Sequence, residues 1–160
     1  MKQVLKRIGK GSFTTAYLMD NDKVLLKSSD PIKECMAMGW FPNSHLFPKV
    51  KFGDVDNEYI MNYYPKQTSL KNTLKPKHYA FYKELRRLWE DLPFNYDVYT
   101  LRTHFRYLTD KRKSAILIEA LEACMNYGSD ICFEISPRNV AVGKTGNLIL
   151  LDCFYIKSLL

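Results

Sequence analysis

The chain has 160 residues, 46% of them apolar, which is enough to bury one sizeable core and too few for two full domains. No apolar run approaches the length needed to span a bilayer, and Met1–Ile8 alternates like a strand where a signal peptide would carry an apolar stretch, so we read a cytoplasmic protein with no membrane partner. A net charge of +7 favours anionic partners, among them nucleotides, nucleic acid or an acidic protein face, without choosing between them. The basic clusters at residues 71–77, 83–87 and 110–113 also fit solvated helix faces. Cys35, Cys124, Cys132 and Cys153 form no CxxC pair and do not combine with His45, His78 or His104 at zinc spacing, so they read as reduced, buried thiols.

Residues 3–8 and 12–19 read as two short strands joined by Gly9-Lys10-Gly11. Asp20-Asn21-Asp22 is a turn, and Lys23–Lys27 a third strand. Asp30-Pro31 opens a helix, with an acidic N-cap and proline at the first helical position, and Gly39 closes it after about Met38. Trp40–Pro48, with two prolines and several aromatics, reads as a packed loop. Lys49–Phe52 and Tyr59–Tyr64 then flank the polar turn Gly53–Asn57, so residues 1–64 predict an antiparallel sheet of about five strands with one helix.

The pattern changes after Pro65. Apolar residues recur at helical spacing over residues 77–92, 96–108 and 110–127, and Gly128 ends the last helix. Val140–Val142 and Leu148–Leu151 flank a glycine-bearing turn and predict a hairpin. The expected boundary is a hinge near residues 62–66, between a sheet-rich part (1–64) and a helical part (65–160) of a single domain.

Gly9-Lys10-Gly11-Ser12-Phe13 lies between strands; glycines there let backbone N–H groups approach phosphate oxygens. Taken alone, an ordinary hairpin turn explains it. Lys27, on an apolar strand, either snorkels to solvent or faces a phosphate. Glu34 either answers the helix dipole or pairs with Lys27 to hold it against phosphates. The most informative segment is Cys132-Phe133-Glu134-Ile135-Ser136-Pro137-Arg138-Asn139, followed by a strand, a turn, a second strand and Asp152-Cys153-Phe154.

This ordered set resembles protein kinases: glycine loop, strand lysine, helix glutamate, linker, helices, catalytic loop and metal aspartate. The Gly-x-Gly-x-Phe wording with Ala16-Tyr17 after it is most similar to the short early Ser/Thr protein kinases of Autographivirus-type bacteriophages. The resemblance implies an α+β, minimal bilobal protein-kinase-like fold, with an antiparallel-sheet N-lobe and a truncated helical C-lobe ending just after Asp152. It implies ATP and Mg²⁺ as ligands, bound between the glycine loop and the 132–154 segment. Gly9, Gly11, Ser12, Phe13, Ala16, Lys27 and Glu34 would meet ATP. Met61 would be the gatekeeper, and Asn62 and Tyr63 would meet adenine. Glu134 would be the base, with Lys27, Asn139 and Asp152 completing the catalytic set and Asn139 and Asp152 holding the metal. The implied partner is a host protein, in transcription or translation machinery, met in the host cytoplasm. The sequence departs from the kinase pattern at Thr14 (third loop glycine), Cys132-Phe133 (His-Arg), Glu134 (Asp), Ser136 (Lys) and Phe154 (Gly). Those departures set the second reading: a pseudokinase that binds nucleotide or captures a host protein without transfer. A nucleic-acid-binding domain explains none of the ordered motif.

Overall fold

The computed structural model describes residues 4–160; residue 3, where the first expected strand begins, lies outside them. The fold is α+β. The chain divides into two compact units, one running up to Trp40 and resuming over Pro48–Tyr63, the other formed by Phe41–Phe47 with Tyr64–Leu160.

In the first unit, a mix of apolar and basic residues forms β1 (Val4–Lys10), antiparallel to β2 (Thr14–Met19). The sequence predicts a turn at Gly9-Lys10-Gly11. Instead, Gly9 and Lys10 stay in the ladder opposite Ala16 and Thr15, and the turn is confined to residues 11–13. Two register shifts interrupt β1, which is exposed along its whole length at the sheet edge. Bulges and the cations Lys6, Arg7 and Lys10 discourage further strands from adding there. Asp22 turns the chain at φ 57, a left-handed conformation that Asp tolerates, into β3 (Lys23–Ser28). The strand order is β1-β2-β3-β5-β4, with β4 at Lys51–Phe52 and β5 at Glu58–Asn62. The β4 strand is shorter than the expected 49–52; Pro48 brings no ladder donor to that edge. Central β3 buries Val24, Leu25 and Leu26, as a strand paired on both sides does.

Helix α1 (Pro31–Ala37) begins where Asp30 Oδ1 accepts the Ile32 N–H at 3.0 Å, and it closes at Gly39 with φ 81. It buries Ile32, Cys35 and Met36, one helical stripe. Burial, with Glu34 adding, pushes the Cys35 thiol up to about 11, so it stays protonated near neutral pH.

The second unit begins with the loop that the sequence marks as packed. Phe41 meets Phe47 and Phe154 edge-on at 5.1 and 6.5 Å. Three long helices follow a one-turn helix α2 (Leu70–Thr73): α3 (Pro76–Asp91), α4 (Val98–Arg106) and α5 (Lys111–Cys124). The expected stripes overran these ends. Asp97 and Asp110 start α4 and α5 by accepting N–H bonds from Thr100 and from Arg112 and Lys113. The final expected turn of α5 is a 3₁₀ turn, Met125–Tyr127, before Gly128 at φ 126.

The core of this unit centres on Phe105, Phe133 and Phe154, each fully buried, with ring centroids 5.2 to 6.2 Å apart. Around it lie Leu85, Leu101, Leu117 and Leu121 from the helices. Strands β7 (Val140–Val142) and β8 (Leu148–Leu150) form the expected hairpin. A second ladder, β6 (Ile131–Phe133) against β9 (Phe154–Ile156), was not expected from the sequence. The Leu150 N–H also donates to Leu46 O at 2.7 Å, stitching the 41–47 loop to β8. Among the described residues no helix is long and apolar enough to cross a membrane.

Candidate functional site

The segment richest in chemistry lies in the second unit, between β6 and β9. Glu134 follows β6 directly, and its N–H donates to Cys153 O at 2.9 Å. The chain then turns through Ile135 and Ser136 into a 3₁₀ turn, Pro137–Asn139. Pro137 at the first position fixes φ and gives up only a donor that such a turn leaves unpaired. The turn brings Asn139 back to Glu134, and Asn139 Nδ2 donates to Glu134 Oε2 at 3.2 Å. The backbone carbonyl of Asn139 accepts from Leu151 N–H at 2.8 Å and, more weakly, from Asp152 N–H at 3.4 Å. Asn139 therefore ties Glu134 on one side to the peptide of Asp152 on the other. Glu134 and Asn139 are half-buried and Asp152 is exposed. An acid that is partly desolvated yet reachable, with an amide bonded to it, is able to accept a proton and to present hard oxygen ligands.

Asn139 and Asp152 carry oxygen donors of the kind that Mg²⁺ takes. With Nδ2 engaged by Glu134, the side-chain oxygen of Asn139 is left for another partner, and Asp152 supplies a carboxylate. Mg²⁺ binds through one or two carboxylates, with water and substrate phosphates completing its shell. Among the described residues no group of three or more His, Cys, Asp or Glu side chains is placed to hold a metal ion. The hydroxyl of Ser136 is buried without a hydrogen-bond partner among the described residues.

In the first unit the glycine turn is open. Gly9, Gly11 and Ser12 are exposed and Phe13 and Ala16 half-buried. Gly11 N–H donates to Thr14 O at 2.8 Å, Phe13 O accepts from Ser29 N–H at 3.0 Å, and the Thr14 and Ser28 hydroxyls bond at 2.6 Å, so the base of the turn is fastened to the end of β3. Gly9 and Gly11 lie outside the left-handed region. An added Cβ would meet nothing nearer than 3.9 Å and 3.8 Å. Neither backbone conformation nor packing requires glycine at these two positions.

Lys27 is exposed, with Nζ 5.4 Å from the Tyr17 ring centroid, and its ladder neighbours are Thr15 and Glu58. Glu34 is exposed on the first turn of α1. The two form no ion pair among the described residues, so a Lys27–Glu34 pair is not made; the ammonium lies over the Tyr17 ring. Met61 stands opposite Val24, and Asn62 opposite Lys23, whose Nζ it binds. Tyr63 N–H already donates to Asp22 O at 3.0 Å, which removes that donor from any contact with adenine.

Two residues that sequence reading does not single out hold the Glu134 segment. Tyr96, in the α3–α4 connection, accepts from Phe133 N–H at 2.8 Å and donates to Phe133 O at 3.1 Å. Burial is the main reason its phenol is held well above the usual range. Arg86, on α3, donates to Ile135 O at 3.2 Å and lies 5.6 Å from the Trp89 ring centroid. Apolar periodicity carries no signal for either, since both act through polar atoms at half-buried positions.

No protein-family model matches the chain, and the comparison with curated proteins finds no match.

Proposed function

We propose that the chain is an ATP- and Mg²⁺-dependent protein kinase that transfers the γ-phosphate of ATP to Ser or Thr hydroxyls of host proteins, with transcription or translation machinery as the target class. One observation carries the reading: Asn139 links the Glu134 carboxylate through its side chain to the Asp152 peptide through its carbonyl. The kinase-like order of motifs asks for these three residues to act together, and a chain with no use for them has no reason to knot them. Two glycines that the fold does not need, at 9 and 11, add support, because a ligand's close approach is a reason for glycine that packing is not.

In this reading Glu134 takes the proton of the substrate hydroxyl while the hydroxyl oxygen bonds to the γ-phosphorus. The bond from that phosphorus to the β–γ bridging oxygen breaks, and ADP leaves. Asn139 orients the Glu134 carboxylate. Asn139 and Asp152 would hold Mg²⁺, which supplies neutralisation of phosphate charge when bound. Backbone N–H groups of the glycine turn and the Lys27 ammonium would meet phosphate oxygens. Met61, Asn62 and the carbonyl of Tyr63 would border the base. The test is label transfer from γ-labelled ATP to the purified chain or to proteins of a bacterial lysate. Transfer is expected with Mg²⁺ and not with EDTA; no labelled protein in either condition rejects the kinase reading.

A specific observation favours the second reading. In active kinases the strand lysine is paired with the helix glutamate, whereas here Lys27 rests on Tyr17. A pseudokinase that binds nucleotide, or captures a host protein through its basic helical surface, fits that arrangement. Stabilisation by ATP·Mg²⁺ without label transfer would select it.

A further inference from the structure

We infer that Tyr96 and Arg86 are positioning residues that aim Glu134, an inference that rests on the reading of Glu134 as the proton acceptor. Four backbone groups at and beside Glu134 are held by named partners. On its N-terminal side both polar groups of Phe133 are taken by one hydroxyl, that of Tyr96, at 2.8 and 3.1 Å. Its own N–H is held by Cys153 O at 2.9 Å. On its C-terminal side Ile135 O is held by the Arg86 guanidinium at 3.2 Å.

The Tyr96 contact is unusual in kind. β6 pairs with β9 along one edge only, and Tyr96 closes the other edge at Phe133, where a neighbouring strand would otherwise supply a donor and an acceptor. A hydroxyl suits this task because it donates and accepts at once. The Phe133 side chain meanwhile is locked against Phe105 and Phe154. The peptide preceding Glu134 is thus fixed on both its apolar and its polar side. Arg86 comes from α3, the sixteen-residue helix Pro76–Asp91, so the peptide that follows Glu134 is referenced to a rigid element. Displacement of a catalytic group by about 1 Å costs roughly a hundredfold in rate, which is the effect such a clamp guards against.

The experiment compares wild type with Tyr96→Phe, Arg86→Met and Arg86→Lys for label transfer from γ-labelled ATP with Mg²⁺, and follows amide hydrogen exchange at Phe133 and Glu134. Tyr96→Phe keeps the ring and removes only the hydroxyl. Its kcat should fall about tenfold to a hundredfold with KM for ATP unchanged, and both amides should exchange faster. Arg86→Met should lower kcat in the same way, and Arg86→Lys, which keeps a donor, should restore most of it. A residue that served only stability would leave kcat intact at temperatures where the variant stays folded. If Tyr96→Phe does not fold, the Arg86 pair decides the matter alone. Wild-type kcat in the folded variants overturns the positioning role and leaves the kinase reading standing. Absence of transfer by the wild type overturns the kinase reading, and the inference with it.

Discussion

Glu134 is the residue on which the two functional readings part. Glu134→Gln keeps the size of the side chain and an oxygen able to accept from Asn139 Nδ2, but it takes no proton. It should lower label transfer by about 10²–10⁴-fold while ATP·Mg²⁺ still raises the melting temperature; transfer at the wild-type rate would remove Glu134 as the base. Gly11 offers a test that separates ligand from fold. Its backbone lies outside the left-handed region and a Cβ would sit 3.8 Å from Thr14 O, so Gly11→Ala should leave stability unchanged or raise it by about 0.4–1 kcal/mol. Affinity for ATP should fall in the same variant. A loss of stability in denaturant melts would show that the glycine serves the turn and not a phosphate.

At the scale of elements, the helix starts are the best-defined local features. Asp110 accepts the N–H groups of Arg112 and Lys113, both at 3.1 Å; Asp110→Ala should cost about 0.5–2 kcal/mol in urea melts. The N–H of Lys113 in the first place holds the Asp110 carboxyl below its usual range. A depressed carboxyl contributes stability above its unfolded value, and that contribution disappears as pH falls through the lower folded value. His78 behaves in a related way for a different reason. Its Nδ1 accepts from Leu148 N–H at 3.2 Å, joining α3 to β8. Burial first, then Lys113, Lys75 and Lys77, lowers its pKa. The unfolded chain therefore takes up this proton before the folded one does. Stability from the neutral imidazole is fully present above the ordinary His value of about 6.5 and declines as pH drops below it. His78→Asn, whose amide oxygen takes the place of Nδ1, should flatten that slope; an unchanged slope in melts across this range would place its origin elsewhere.

For the molecule as a whole, the proposed metal and nucleotide should bind as one linked system. If Mg²⁺ neutralises the phosphates while Asn139 and Asp152 hold it, each ligand raises the affinity for the other. ATP with Mg²⁺ should shift the melting temperature more than ATP with EDTA, and equal shifts would reject the metal assignment. Much of the fold was legible in the chain itself. The five-stranded sheet, the Asp30–Gly39 limits of α1, the three long helices and the β7–β8 hairpin follow from period, caps and glycine turns, all written in neighbouring residues. The residues of the candidate site were legible as types in an order. Their mutual arrangement was not. The β6–β9 ladder joins two three-residue strands from opposite ends of the 131–156 segment, each too short to announce itself by period. The seat of the Lys27 ammonium over the Tyr17 ring depends on which side chain the ladder sets beside it. The Asn139–Glu134 bond and the grips of Tyr96 and Arg86 on Phe133 and Ile135 join polar atoms distant along the chain. Local pattern determines which elements form, because helix and strand period is a property of adjacent residues. Only tertiary structure decides which polar groups meet, because burial penalises an unpaired donor or acceptor and the packed core sets which partners lie within reach.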